Sequence, residues 1–289
     1  LADQAEIAEA MGFDSFWLPE NHFTGPAAIP SPLMLLAAIA SRTSRIRLGS
    51  TSYLLPIRNP ILAAEEVAVL DRLSGGRVIL GIGRGFQDAM FKIFNIPTKQ
   101  KRAIFRENLD TMISAWRGEP IERHDGQELF LSPLPVQQPY PPLWVAAFGP
   151  LAIKQAGQLG LPYIASPVES LTSLQTNIEQ HRQHAAEAGH VEISTTPIMR
   201  TVFVTDDSKL ERRVKESLKK ESAARIRDNQ ASVEDWAIVG SRQYIDDKIA
   251  EYIERLGMNY LIARGRIQGI EDDQQIKSHE ALLNLSNVS

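Results

Sequence analysis

The sequence predicts an α/β fold whose strands run parallel and are covered on both faces, as in a (β/α) barrel or a doubly wound sheet. Short β-branched or aromatic runs alternate with longer stretches of helical period from end to end. The strands are nearly continuous apolar runs rather than alternating ones, as at residues 78–80 and 143–145, which is typical of strands buried on both sides. The length of 289 residues fits a single domain over residues 1–289.

Hydrophobic period and punctuation define the individual elements. Pro32 and Pro60 stand in predicted first helical turns, where the missing N–H costs nothing, and Ser208 with Glu211 predicts a capping box. The predicted strands are 15–19, 46–52, 78–83, 143–147, 163–165, 198–204 and 259–264. The predicted helices are 2–11, 31–41, 61–73, 103–116, 151–159, 171–188, 208–226, 242–256 and 272–285.

The order of these elements bears on the number of strands. The chain opens with the helical pattern at 2–11, and seven predicted strands follow it. An eight-stranded barrel needs a strand before its first helix, so we expect that the natural protein has a preceding strand that this chain lacks. The alternative is a strand that escapes notice within one of the long segments 118–142 and 228–240.

Composition restricts the classes of partner. The formal net charge of −4 argues against nucleic acid, which requires a basic face. The longest apolar run, residues 33–40, is far shorter than the roughly 20 residues that cross a bilayer, so we expect no membrane association. The absence of cysteine excludes disulfides and thiolate chemistry and fits a cytoplasmic protein.

A glycine-rich turn with the sequence GIGRG, residues 81–85, lies at the end of a predicted strand. Glycine lets the backbone approach a ligand closely, and Arg84 at a strand end offers bidentate binding of an anion. At the start of a predicted helix, Gly149 and Leu151 add N–H donors and the positive end of the helix dipole. Together they indicate a phosphorylated small molecule; the alternative for the turn alone is a tight structural connection.

Of the six histidines, only His22 directly follows a predicted strand. Its neighbour Glu20 favours an acid–base or hydrogen-bonding role, and the alternative is a structural histidine. The remaining histidines lack metal-ligand spacing, so we expect no metal site and interpret them as surface residues: His124, His181, His184, His190 and His279.

Three segments together carry a resemblance to a known family. Residues 11–24 read MGFDSFWLPENHFT, residues 48–56 read LGSTSYLLP and precede Asn59-Pro60, and residues 66–77 read EVAVLDRLSGGR. In this order and spacing they resemble the bacterial luciferase-like flavin monooxygenases, and most closely the luciferase α-subunit branch. The resemblance is dense through the helix predicted at 103–116 and thinner beyond it.

The resemblance implies a (β/α)8 barrel that binds reduced FMN at its C-terminal mouth. It places Arg84 and Arg102 on the phosphate, and it matches 148–152 to the rest of the phosphate site. Glycine and alanine replace hydroxyl residues in that segment, so backbone N–H groups must contribute more. The cofactor-binding residues that it implies are Glu20, Thr51, Ser52, Arg84, Phe86, Arg102, Ala146, Phe148, Gly149 and Leu151.

The family pattern also makes specific statements about the flavin ring. It implies a cis peptide bond between Thr51 and Ser52, with both residues and Phe86 against the ring. His22 and Asn21 are the catalytic candidates, forming hydrogen bonds where oxygen reacts. Asn21 stands where the luciferase pattern has a first histidine, and Gly83 stands where it has a reactive cysteine. Since an amide carries no proton at neutral pH, light emission is doubtful.

The function predicted from the resemblance is a two-component monooxygenase that takes reduced FMN from a separate flavin reductase. With dioxygen it would oxidise a small apolar or aldehyde-like substrate. The alternatives are a deazaflavin-dependent oxidoreductase on the same fold and a flavin-binding homologue without catalysis. The apolar helices 31–41 and 61–73 are candidates for a homodimer interface, the alternative being that they pack on the barrel.

Overall fold

A computed structural model describes residues 1–190, 193–222 and 232–286, and of His124 and Ser222 only the backbone. The chain falls into two compact units, Leu1–Ala146 and Ala147–Ser289. Each is described by itself, and the single domain expected over 1–289 stays a prediction.

The first unit is a parallel sheet with helical connections. Strands β1, β2, β4 and β7 lie side by side in that order, all parallel. The short β3 also pairs with β4, and β5 and β6 form an antiparallel hairpin. Its helices are α1 Ala2–Met11, α2 Pro32–Ala40, α3 Pro60–Ser74, α4 Asp88–Ile93 and α5 Lys101–Trp116. Its strands are β1 Ser15–Leu18, β2 Arg47–Ser50, β3 Tyr53–Leu54, β4 Val78–Gly83, β5 Glu122–His124, β6 Gln127–Leu129 and β7 Leu143–Ala146.

The middle of this sheet is closely packed. Every residue of β4 is buried, as its continuous apolar sequence predicts. Gly49 in β2 has no side chain, and a Cβ there would lie 2.2 Å from the ring of Trp17. This space lets Trp17 of β1 stack on Trp144 of β7, with ring centroids 5.0 Å apart. The packing of Trp17 therefore depends on a glycine at position 49.

At the amino-terminal ends of the strands, one arginine, Arg77, binds several backbone carbonyls. The Arg77 guanidinium donates to the carbonyl oxygens of Ala40 at 3.0 Å, Ile46 at 2.9 Å and Ser74 at 2.6 Å. Five donors in a rigid fork make arginine suited to several carbonyls at once. Arg77 thus joins the ends of α2 and α3 to the start of β2. Because it fixes this end of the strands, it also helps to position their opposite, carboxyl ends.

The second unit has a smaller parallel sheet. The long strand β9 pairs with β10 through residues 201–204 and with β11 through residues 197–200. Its helices are α6 Pro150–Gln158, α7 Leu171–Glu187, α8 Ser208–Ser222, α9 Arg242–Leu256 and α10 Asp272–Leu283. Its strands are β8 Tyr163–Ile164, β9 Pro197–Val204, β10 Ala237–Gly240 and β11 Tyr260–Ala263.

A buried arginine organises this second unit. Arg200 is fully buried and donates to the hydroxyl of Tyr252 at 2.9 Å and to the carbonyl of Pro167 at 3.1 Å. It also donates to the carbonyl of Glu169, whose carboxylate accepts from the Asn177 side chain at 2.7 Å. Burial raises the pKa of Glu169. The backbone N–H of Ser166 and the positive charge of Arg200 oppose this increase in pKa. The buried charges of Arg200 and Glu169 therefore have their hydrogen-bond partners within the second unit.

All seven predicted strands are present, and the structure adds four: β3, β5, β6 and β10. Strands do lie within both segments named in the alternative, β5 and β6 within 118–142 and β10 within 228–240; residues 228–231 lie outside the described part. The described chain opens with α1, as its sequence pattern predicts, and a strand before it stays a prediction. The last residues of the predicted helix 208–226, from 223 on, also lie outside the described part.

Two local predictions were wrong. The N–H groups of Lys209 and Leu210 donate to Asp207 at 2.8 and 3.3 Å, so Asp207 rather than Ser208 caps α8. His181, expected at the surface, is buried and its Nε2 lies 2.9 Å from the carbonyl oxygen of Leu161. Among the helices within the described ranges, none combines the length and apolar character that a membrane crossing requires.

The carboxylate of Glu9 on α1 gives the first testable prediction. It accepts the N–H groups of Ser44, Arg45 and Ile46 at 3.0, 2.7 and 2.8 Å. These donors, that of Ile46 foremost, lower the pKa of Glu9 from 4.5 to about 2. A depressed pKa means that the carboxylate stabilises the fold above pH 4.5 and loses this effect as the pH falls towards 2.

We therefore expect Glu9→Gln to lower the free energy of unfolding at pH 7 by about 1 kcal/mol, a modest value because the site is solvated. The difference from the unchanged protein should shrink as the pH falls below 4.5. Urea unfolding across this pH range measures it, with the exposed Glu119→Gln as control. A difference that stays constant with pH would contradict the prediction.

Candidate functional site

The predicted site residues of the first unit follow the carboxyl ends of three neighbouring strands. Glu20 and His22 follow β1, Thr51 and Ser52 follow β2, and Arg84 follows β4. Because these strands are parallel neighbours, their carboxyl ends share one edge of the sheet, which is where α/β proteins bind ligands.

A buried carboxylate lies at this edge. One oxygen of Glu20, Oε1, is 2.8 Å from His22 Nε2 and also accepts from Arg58. The other oxygen, Oε2, accepts the N–H of Leu54 at 2.9 Å. The side chain is wholly inaccessible to solvent, and this burial raises the pKa of Glu20 although Arg58, Leu54 and His22 all oppose the shift.

The imidazole of His22 lies between this carboxylate and an aromatic pair. His22 is buried, with the ring of Phe94 edge-on at 5.2 Å and the ring of Phe23 at 5.9 Å. Phe23 is 63% exposed and Phe94 38% exposed. One side of the imidazole therefore faces a hydrogen-bonding group, and the other faces apolar rings that are open to solvent.

Asn21 is engaged in the loop that follows β1. Its Oδ1 accepts from the hydroxyl of Thr24 at 2.8 Å and from the N–H of Ile29 at 3.0 Å. Its own backbone N–H donates to the carbonyl of Ile29 at 3.0 Å. The amide oxygen thus holds the loop together, and a catalytic role for Asn21 stays a prediction.

The Thr51–Ser52 peptide bond is cis, as the resemblance predicts. The backbone N–H of Thr51 donates to Leu18 of β1 at 2.8 Å. Ser52 lies directly against Gly83, and a Cβ at residue 83 would stand 2.1 Å from Ser52 Oγ. Glycine therefore occupies the position of the luciferase cysteine because this arrangement of Ser52 leaves no room for a side chain.

Arg84 and Arg102 belong to the same electrostatic site. Arg84 follows the last residue of β4, and Arg102 stands in the first turn of α5. Burial lowers the pKa of Arg84, and the positive charge of Arg102 lowers it further. Two guanidinium groups whose positive charges act on each other suit a dianionic group such as a phosphate monoester.

The structure places the remaining predicted residues in both units. Phe86, beyond the Gly85 turn, is 83% exposed, and Ala146 is the last residue of β7. In the second unit Gly149 is the N-cap of α6, with Leu151 exposed in the first turn and Phe148 exposed before it. The assignment of these residues to a cofactor stays a prediction.

Sequence reasoning missed Arg58, Tyr53 and Glu66. The guanidinium of Arg58 lies 4.5 Å from the centre of the Tyr53 ring, and the Tyr53 hydroxyl donates to Glu66 at 3.0 Å. Burial raises the pKa of Tyr53, so it stays protonated. The sequence signal that could have identified Arg58 was its position as a single arginine between an apolar run and the helix start at Asn59-Pro60.

Comparison with known proteins places these observations in context. The family model for luciferase-like monooxygenases matches residues 1–260. The alkanal monooxygenase alpha chain of Photorhabdus luminescens is 28% identical over 66% of this chain and 54% of its own. The oxygenase component of a flavin-dependent trigonelline monooxygenase from Acinetobacter baylyi is 29% identical over 58% of this chain and 48% of its own. The chain thus spans about half the length of these curated relatives.

Solved structures show the fold. Monooxygenase RslO1 of Streptomyces bottropensis superimposes with a TM-score of 0.84 at 22% identity, over 98% of this chain and 90% of its own. The FMN complex of the oxygenating constituent of 3,6-diketocamphane monooxygenase from Pseudomonas putida has a TM-score of 0.81 at 22% identity, with the same coverage. An F420-dependent secondary alcohol dehydrogenase has 0.77 at 18% identity, over 100% and 94%. The predicted α/β fold class, of the (β/α)8-barrel kind, is confirmed.

The contact between Gly83 and Ser52 is testable. We expect Gly83→Ala to lower the free energy of unfolding by about 1–3 kcal/mol, since the new methyl group must displace Ser52. Adding Ser52→Gly should restore much of the loss, because it removes the atoms that collide. Urea denaturation measures both variants, with Gly265→Ala as control, since no atom lies within 4 Å of a Cβ there. Equal stability of the single and double variants would show that this contact is not the cause.

Proposed function

The chain belongs to the luciferase-like monooxygenase family, and from this premise we propose that it is the oxygenase of a two-component flavin system. It would use reduced FMN and dioxygen to oxidise a small apolar or aldehyde-like substrate. The observation that carries the proposal is the pair Arg84 and Arg102, two cations in one site whose mutual repulsion a phosphate relieves.

The two arginines suit FMN because they are fixed by different elements. Arg84 is held at the end of a fully buried strand, and Arg102 is held on α5. The glycine at 85 has φ +71°, which turns the chain between Arg84 and the following helix. Such fixed positions reduce the entropy that binding a phosphate would cost.

The other residues of the edge would orient the ring and protect it from water. Reduced flavin, when bound, supplies the electrons that activate dioxygen. Thr51, Ser52 and Phe86 would contact its ring. His22 would accept or donate a hydrogen bond beside it, next to the apolar rings of Phe23 and Phe94, which exclude water when covered by a substrate.

A separate reductase is the partner that this proposal requires. The relative from Acinetobacter baylyi is described as an oxygenase component, which supports a division of labour of this kind here. The chain has no cysteine, which fits the cytoplasmic location that we also propose.

The second candidate is a deazaflavin-dependent oxidoreductase, favoured by the structural likeness to F420-dependent enzymes. The third is a flavin-binding protein without turnover, favoured by the amide at Asn21. Anaerobic titration with reduced FMN and with a reduced deazaflavin, followed by oxygen uptake, separates them. FMN preference with oxygen use supports the monooxygenase. Deazaflavin preference without oxygen use supports the second candidate, and binding without turnover the third.

The phosphate assignment gives a quantitative prediction. Arg84→Met and Arg102→Met should each weaken reduced-FMN binding by about 10- to 100-fold, the usual effect of losing a hydrogen bond to a charged group. Binding of reduced riboflavin, which lacks the phosphate, should change little. Fluorescence titration without oxygen measures both ligands.

Arg106→Met is the matched control for these variants, because Arg106 lies one helical turn after Arg102 and pairs with the exposed Asp110. It should leave FMN affinity unchanged. Equal losses for FMN and riboflavin in the Arg84 and Arg102 variants would mean that the arginines do not bind the phosphate.

We also propose a homodimer formed through α2 and α3. Four apolar side chains on these helices are more than half exposed in the single chain: Met34, Leu62, Val69 and Leu73. On α3 they recur at positions i, i+7 and i+11, so they share one face. Apolar faces of this kind are typical of a two-fold interface.

Val69→Glu should therefore shift the protein from dimer to monomer, since a charge would be buried at the interface. Sedimentation velocity at equal concentrations measures the shift. Ile253→Glu, which changes a partly exposed apolar residue on α9 of the second unit, is the control and should remain dimeric. A monomeric unchanged protein, or a dimeric Val69→Glu, would refute the interface.

A further inference from the structure

Glu20 contacts a cation on one side and an imidazole on the other. Its Oε1 accepts from Arg58 and lies 2.8 Å from His22 Nε2, and its Oε2 accepts the N–H of Leu54. An ionised carboxylate only accepts hydrogen bonds. If Glu20 is ionised, Nε2 must therefore carry a proton, and a neutral His22 keeps its Nδ1 unprotonated, as an acceptor.

A protonated Glu20 would reverse this arrangement. Its hydroxyl could donate to Nε2, and the neutral ring would then carry its proton on Nδ1. The protonation of Glu20 thus decides whether the free nitrogen of His22 accepts or donates a hydrogen bond. This single proton changes the chemistry that the ring offers to anything beside it.

Two opposing effects act on Glu20. Complete burial of the side chain raises its pKa, and the positive charge of Arg58 is the largest effect that lowers it. The neighbouring charged and titratable groups are His22, Arg58, Tyr53 and Glu66. The balance therefore depends chiefly on one guanidinium.

Arg58 is itself held in place. It lies over the ring of Tyr53, whose hydroxyl is bonded to Glu66, and its carbonyl accepts from the Asn108 side chain at 3.1 Å. Within the described chain its Nε is buried without a hydrogen-bond partner, so its position follows from the Glu20 pair and the ring rather than from a full set of donor contacts.

We propose that Arg58 is a positioning residue: it keeps Glu20 a carboxylate, which holds His22 as the Nε2–H tautomer and presents Nδ1 to the site as an acceptor. That Nδ1 serves an oxygenation reaction rests on the proposed function. The tautomer itself is a property of the protein without any cofactor, and it is measured there.

Nitrogen-15 NMR of histidine-labelled protein, without flavin, tests the proposal. The His22 signals are assigned by their loss in His22→Gln. In the unchanged protein at pH 7 the Nε2–H tautomer should exceed the other by about tenfold or more, the equivalent of one pKa unit. Arg58→Met should reduce this ratio by about tenfold or more, and Arg58→Lys, which keeps the charge, should largely preserve it.

A second observable follows Glu20 directly. Its carboxyl carbon shift, followed against pH, should show the midpoint of Glu20 rising by about one pH unit or more in Arg58→Met. Arg106→Met, which removes an arginine from an exposed ion pair on α5, should change neither observable. In a Glu20→Gln background, Arg58→Met should have no further effect on the His22 ratio.

An Nδ1–H majority in the unchanged protein overturns the proposal, even if Arg58→Met does not fold. So does an unchanged ratio in a folded Arg58→Met, or a reversed ratio in Arg58→Lys. Because no flavin, oxygen or substrate is present, these results are independent of the monooxygenase assignment. Failure of that assignment appears instead in the flavin titration and oxygen uptake.

Discussion

The buried carboxylate of Glu20 is the interaction on which the ligand-binding edge of the first unit depends. Its three hydrogen-bonding partners come from three places along the chain: the loop after β1, strand β3, and the residue before the cap of α3. A buried charge is tolerated only when it is paired and hydrogen-bonded, and breaking such a pair typically costs about 3–5 kcal/mol. Because Glu20 requires these partners, His22 and Arg58 are both held beside its carboxylate.

The pair Arg84 and Arg102 at this edge differs from the Glu20 group in the signs of its charges. Arg58 has its carboxylate within the protein, whereas the charge beside Arg84 is that of Arg102, which is also positive. Arg58 is therefore part of the framework, and Arg84 and Arg102 bring two positive charges to one site. Like charges at one site repel each other, and this arrangement is typical of a site built for an anionic ligand.

The sequence predicted what local pattern determines and missed what tertiary contact determines. The buried strands have continuous apolar runs, and His22 and Glu20 are two residues apart, so both were predicted. The partnership of Arg58 with Glu20 spans 38 positions and leaves no local signal. Strand β10 was missed although it is as long as β1 and β11, which were predicted, so length alone does not explain the difference. At α8, Asp207 and Ser208 are both good caps, and only the backbone conformation selects between them.

The two departures from the luciferase pattern acquire structural reasons that bear on proton transfer. The amide oxygen of Asn21 closes the loop through Thr24 and Ile29, a role that needs an acceptor and no titration. Gly83 makes room for Ser52. Neither position supplies a group that titrates near neutral pH. The luciferase pattern has two histidines and a cysteine at the positions discussed. Under the proposed function, His22 is the one residue at these positions that can transfer a proton here, and its tautomer decides which ring nitrogen takes part.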